Sequence, residues 1–226
     1  MSPRTKYLDN CQRERVNPRA ALIIRKHHVT EINLKNLGIG DQMAKIFADC
    51  LEGLPMVKSV NISDNNLTDE GLAPLFKAMM SIPTLEEIDL SYNDVDEVTA
   101  NAIAAYIADP DCPLKRLVMR KSDVDDNECA RFIECLHTNK NLTDLDISNN
   151  ILGSSENLNT VMPDLTTGAE AMAELLSSEE CKLKSVNVAW NMIRLDGAIA
   201  MAGVFTIIYF NNYSVSNRPS LFLQAP

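Results

Sequence analysis

A chain of 226 residues, 46% hydrophobic and 23% charged, has the composition of a globular protein with ample length for a core. Its formal charge of −10 excludes a general nucleic-acid binder, because attraction to phosphate needs a basic face. The charge is unevenly divided: residues 1–28 hold seven Lys/Arg against Asp9 and Glu14, which leaves about −15 on the remainder.

That leader, from Tyr7-Leu-Asp-Asn-Cys11 through Pro18 to Ile24, reads as a basic helical N-terminal cap over 1–28. Its charge suits an interaction arm or a solvated cap. It has no apolar run of the secretory kind, and the six cysteines form no CxxC pair, so reduced thiols and a cytoplasmic location are expected.

From residue 29 the chain repeats itself. The template L-x-x-L-x-L-x-x-N-x-L fits at Val29, Val57, Leu85, Leu114, Leu142 and Leu183, at intervals of 28, 28, 29, 28 and 41 residues. Positions 1, 4, 6 and 11 are apolar in all six copies, from Val29/Ile32/Leu34/Ile39 to Leu183/Val186/Val188/Ile193. At 46% apolar content chance would fill those sites about once in 10^8. Positions 4 and 6 alternate inward along a short strand. Position 9 is Asn65, Asn93, Asn150 and Asn191 in four copies, an amide suited to the backbone groups of the turn and able to stack into a ladder; Leu37 and Ser122 replace it in repeats 1 and 4. Between strands, runs such as Leu72, Leu75, Phe76 and Met79 have helical spacing, with starts marked by Thr68-Asp-Glu and by the capping-box pair Thr167/Glu170. The fold expected is an α/β solenoid of six repeats over 29–202.

Two segments break the pattern. Repeat 5 carries thirteen extra residues, 153–165, of surface-loop composition, which suit added binding surface or a tolerated loop. From Gly203 the repeat dissolves, and a seventh strand 28 residues on would put Asn211, Ser214 and Ser216 in apolar columns. The expectation is a non-repeat tail over 203–226 on a truncated version of a longer repeat protein. Its apolar run 198–210 is too short for a membrane helix.

The segment Val60-Asn-Ile-Ser-Asp-Asn-Asn-Leu-Thr-Asp-Glu-Gly71 and the 28–29-residue period resemble the ribonuclease-inhibitor-like class of leucine-rich repeats. That class includes the repeat domains of NOD-like receptors and the Ran GTPase-activating protein. The resemblance implies a horseshoe with parallel strands on the concave face and helices on the convex face. It speaks to fold rather than activity, since the matching residues are structural.

On the concave face so implied, repeat 3 offers Glu86, Glu87 and Asp89, repeat 4 Lys115, Arg116, Arg120 and Lys121, and repeat 5 Asp144 and Asp146: a basic stripe between two acidic ones. Cross-strand ion pairs are one use of such a pattern, a protein partner another. Tyr92 and Trp190 share template position 8, exposed where aromatics anchor interfaces. The candidate contacts are therefore Tyr92, Trp190, Glu87, Asp89, Arg116, Arg120, Lys121 and Asp146.

Catalytic and metal chemistry finds no pattern. Asp123-x-Asp125-x-Asn127 with Glu134 has calcium-loop spacing, but Glu128 replaces the required glycine. Gly38-x-Gly40 lacks its third glycine, and the three histidines suggest no triad. No cofactor is expected. The reading is a non-catalytic protein-binding scaffold or recognition module, without nucleic-acid or membrane partners. The alternative, a small-GTPase regulator, follows from the resemblance to the Ran-directed protein, with Arg194 as its one candidate group. A fragment of a NOD-like sensor would also need a nucleotide-binding domain, and no GxxxxGK[ST] is present.

Overall fold

A computed structural model describes residues 2–25, 28–51, 54–154, 167–211 and 220–222, with side chains described as far as 204. Each repeat forms a three-residue strand followed by a helix. In chain order these are β1 (Glu31–Asn33), α2 (Gly40–Ala48), β2 (Ser59–Asn61), α3 (Asp69–Met79), β3 (Glu87–Asp89), α4 (Glu97–Ala108), β4 (Arg116–Val118), α5 (Asp126–Leu136), β5 (Asp144–Asp146), α6 (Gly168–Ser177), β6 (Ser185–Asn187) and α7 (Leu195–Asn211). Helix α1 (Pro3–Arg13) precedes them. The strands form one open parallel sheet in sequence order, and the helices pack on their sequence neighbours. The register is that of the template, with Ile32, Val60, Ile88, Leu117, Leu145 and Val186 directly opposite one another.

The apolar columns are the core. Of the residues at positions 1, 4, 6 and 11, all are buried except Val29 and Ile193, which lie in the first and last of the six repeats and are partly covered. Each fully buried Leu, Ile or Val contributes roughly 1.5–3 kcal/mol, realised only when the next coil covers it. At the first coil the leader supplies that cover. Tyr7 and Cys11 are buried, the Tyr7 ring meets Phe47 edge-on at 6.4 Å, and its hydroxyl accepts from the Arg19 amide at 2.8 Å. Burial pushes the Tyr7 phenol up to about 12. Arg19 in turn donates to the carbonyls of Leu37 (2.9 Å) and Gly38 (2.8 Å), at the turn where repeat 1 lacks its asparagine.

Asparagine at position 9 builds the expected ladder. Asn150 accepts from the amides of Ser122 (2.8 Å) and Val124 (3.3 Å) and donates to the carbonyls of Met119 (2.7 Å) and Ile147 (2.9 Å), joining the turns of repeats 4 and 5. Asn65, Asn93 and Asn191 make the corresponding bonds. Ser122 is too short for its rung. The Val95 amide bonds instead to the Ser122 carbonyl at 3.0 Å.

One expectation needs correction. The sheet has a seventh strand, β7 (Ser220–Phe222), paired with β6 so that Ser185 faces Ser220. It falls 35 residues after its partner rather than 28, because α7 runs 17 residues where no earlier repeat helix exceeds 12. A fixed period therefore tested the wrong residues. Among the described residues, no helix is long and apolar enough to cross a membrane.

Candidate interaction surface

The open sheet face presents template positions 3 and 5, and positions 7 and 8 follow as the chain leaves each strand. In five repeats position 5 is Asn33, Asn61, Asp89, Asp146 or Asn187, and each of these side chains accepts from the amide two residues on, at 3.0–3.1 Å. These are Asx turns, local bonds that short amide and carboxylate side chains make readily. Asp89 and Asp146 thus close turns, and each also accepts from a neighbouring amide, Asn61 at 3.2 Å and Asn187 at 3.1 Å. Repeat 4 has Val118 at this position, 7% exposed, and the Arg120 amide turns to Ser91 Oγ at 3.1 Å. Above this low apolar floor lies a depression of about 230 Å³, bordered by Arg116, Asp144 and Asp146.

The alternating charges are partly consumed by cross-strand pairs. Glu86 sits 2.9 Å from Lys115 and 3.6 Å from Lys58, and the Lys115 hydrogen bond chiefly holds its carboxyl below the ordinary value. Arg120 Nε lies 3.6 Å from Asp146 and 3.2 Å from Ser148 Oγ. Exposed pairs of this kind are worth about 0.2–1 kcal/mol, enough to orient side chains but little more. Glu87 and Arg116 are register partners on β3 and β4, both exposed, and neither forms an ion pair with a described residue. They keep their charge available.

Position 8 forms the rim at the carboxyl ends of the strands. All six residues there, Asn36, Asp64, Tyr92, Lys121, Asn149 and Trp190, have left-handed backbone with φ between +47° and +59°. Asparagine and aspartate tolerate that region; tyrosine, lysine and tryptophan occupy it at a cost of about 1 kcal/mol. Tyr92 is nevertheless 52% exposed and Trp190 51%, so neither recovers the cost by burial. Lys121 Nζ stands 5.9 Å from the Tyr92 ring centroid. Three strand spacings separate the two aromatics, about 14 Å along the rim.

A second ladder runs behind the rim, and the sequence reading missed it. Asp41 accepts from the amide and hydroxyl of Thr68, both at 2.9 Å. Asp69 accepts from the amides of Asp96, Val98 and Thr99 at 3.2, 2.8 and 3.0 Å. Each carboxylate caps the following helix, satisfying amides that have no partner within it. A Cβ on Gly71 would collide with the Asp41 carboxylate, so glycine is required for this approach. The signal was an acidic residue twelve places after the start of each of the first four repeats, at Asp41, Asp69, Glu97 and Asp126.

Asp126 applies the same device to the inserted segment. It is 4% exposed and accepts from the amides of Gly153 (2.8 Å), the first residue of the insertion, and Gly168 (2.7 Å), the first residue of α6 after it. Residues 155–165, the body of the insertion, lie outside the described residues. Beside Asp126, the run with calcium-loop spacing is a helix start: Asp125 caps α5 and Glu128 accepts from the Asp125 amide at 3.1 Å. Burial and the hydrogen bond with Asp125 push Glu128 up to about 7. Burial opposes the ionised form of Asp125 too, but its bonds from Glu128 and Asn127 hold it below the ordinary value.

The raised Glu128 acid has a measurable consequence. Between its ordinary value near 4.5 and about 7 the folded chain holds a proton that the unfolded chain has released, so this group's stabilisation is complete below that interval and lost as pH rises through 7. Asp125 acts in the opposite direction at lower pH, its contribution lost as pH falls below the ordinary carboxylate range. Urea melts between pH 5 and 8 should show Glu128→Gln losing less stability than wild type over that interval. After allowance for solvent screening the difference is about 1 kcal/mol. Parallel curves would show that Glu128 ionises normally.

Comparison with known proteins agrees with this architecture. A leucine-rich-repeat profile matches residues 53–76, 81–104 and 180–202. Ribonuclease inhibitor of Sus scrofa is 22% identical over 161 residues, covering 71% of this chain and 33% of that protein. NACHT, LRR and PYD domains-containing protein 4E of Mus musculus is 26% identical over 197 residues, covering 86% and 18%. Protein 12 of the same designation from Homo sapiens is 30% identical over 115 residues, covering 51% and 9%. The chain spans a third or less of the length of these relatives. In period, strand register and relatives alike, it is similar to the ribonuclease-inhibitor-like leucine-rich-repeat proteins.

Proposed function

We propose that the chain is a non-catalytic recognition module of the cytoplasm that binds a protein along the open sheet face and its rim. The observation that carries this reading is the rim geometry. Two large aromatics are held half-exposed in a backbone conformation that disfavours them, and strain without burial marks a position kept for contact. Glu87 and Arg116, exposed on β3 and β4 and without an ion-pair partner among the described residues, supply orientation beside them. Repeats of this class suit protein binding because the sheet side chains are free of the core. The six unpaired cysteines, four of them buried, favour a reducing compartment.

The test uses substitutions that suit the backbone. Tyr92→Asn and Trp190→Asn place a left-handed-tolerant residue at φ +59°, so the melting temperature should hold or rise by a few degrees. Partners captured by proximity labelling with wild type should be lost from the double variant. Retained capture would remove both aromatics from the interface, and a falling melting temperature would remove the strain argument. Under the GTPase-regulator alternative, purified Ran should hydrolyse GTP faster with the wild-type chain and not with Arg194→Ala.

A further inference from the structure

Tyr92 forms one wall of a rim depression of about 370 Å³ spanning repeats 2 to 4. Asp64, Asp94 and Asp123 line it, with Lys121 at its edge. None of the three carboxylates has an ion-pair partner among the described residues, whereas Glu86 and Asp146 on the sheet face are both paired. The depression therefore carries an excess of negative charge within reach of an exposed ring. A cation is already drawn to that ring, since Lys121 Nζ lies 5.9 Å from its centroid, near the outer limit of a cation–π contact. Lys121 can leave without breaking any ion pair to a described residue.

We infer that this depression receives an arginine side chain from a basic segment of the protein partner, its guanidinium stacked on Tyr92 in place of Lys121 and facing Asp64, Asp94 and Asp123. The inference rests on the rim-binding reading above and adds the chemistry of the partner. Arginine fits better than lysine because its planar group covers the ring while its edge donates to carboxylates. Burial, with the neighbouring carboxylates Asp96, Asp123 and Asp69, holds Asp94 above its ordinary value, a crowding of charge that an incoming cation relieves. The body of the chain, at about −15, steers a basic segment toward the surface and repels an acidic one.

The experiment titrates the full chain with tetra-arginine, tetra-lysine and tetra-glutamate peptides, followed by calorimetry and by the NMR signals of the Tyr92 ring. Tetra-arginine should bind, shift those signals, and bind more tightly than tetra-lysine; tetra-glutamate should not bind. Tyr92→Asn should weaken tetra-arginine about two- to fivefold, and Asp94→Asn/Asp123→Asn about threefold or more, with the effect shrinking in high salt. Glu179→Gln/Glu180→Gln, which removes the same charge from an exposed site elsewhere, should change little. Equal weakening by that control, or binding with unshifted Tyr92 signals, would overturn the inference by showing general attraction to an acidic protein. Absence of tetra-arginine binding would overturn it too. In that case loss of captured partners in the Tyr92→Asn/Trp190→Asn variant would still leave the broader reading standing.

Discussion

Asp126→Ala should be among the most damaging single substitutions in the chain, lowering stability by about 4 kcal/mol and the melting temperature by roughly 8–16 °C. One buried carboxylate oxygen holds the amides of Gly153, which opens the inserted segment, and Gly168, which begins α6 after it, at 2.8 and 2.7 Å. Bonds to a charged acceptor are worth about 1.5–3 kcal/mol each, and alanine leaves both donors without the partner their burial demands. The surroundings leave little room to repair the loss. A Cβ at Gly153 would meet the Met192 carbonyl at 2.6 Å, and one at Gly168 would lie 3.0 Å from Cys129 Cβ, so both stems already run against their neighbours. Asp126→Asn keeps an acceptor and should cost far less. Thermal melts give the ranking, and hydrogen exchange at Gly153 and Gly168 locates it. Alanine melting like asparagine would show that the stem is held by packing and not by the carboxylate.

The pattern of what could be read from the sequence follows from how each feature is encoded. The apolar columns were legible because every coil must bury the same four positions, so the constraint is written six times, from Val29 to Ile193. The amide ladder was legible because asparagine is the residue that both accepts and donates at that turn. β7 was not, because its place depends on the length of α7, and an apolar run does not announce where its helix ends. The carboxylate ladder of Asp41, Asp69 and Asp126 was visible as composition but not as function. An acidic residue in a first turn already has a reason to be there, in the helix dipole, and nothing local shows that it serves the next helix. At the rim, Tyr92 and Trp190 were identified as exposed aromatics, and their exposure is as expected. Their left-handed backbone was hinted at only by Asn36, Asp64 and Asn149 at the same position. Of the charged candidates, Asp89 and Asp146 turned out to hold Asx turns, a use that spacing alone does not separate from display.

Asn150→Ala should cost about 3 kcal/mol, or roughly 6–12 °C in melting temperature. The side chain is 4% exposed and closes five bonds across two turns. Its loss strands the Ser122 and Val124 amides and the Met119 carbonyl in a place that water does not reach. Repeat 4 is the poorest place to lose a rung, because Ser122 already leaves its own unmade, and of backbone bonds only those from the Lys121 amide to Ser148 and from the Ile151 amide to Val124 would then tie that turn to the coil beyond it among the described residues. Asn191→Ala gives the contrast. That residue is partly exposed, so solvent replaces some of what is removed, and the cost should fall to about 1 kcal/mol. The two variants thus separate a ladder whose worth depends on burial from one that is merely a repeated residue. Equal and mild losses at both positions would mean that the apolar columns alone hold the coils in register. A steep difference, with exchange rising at Ser122 and Val124, would assign the register of repeats 4 and 5 to this amide.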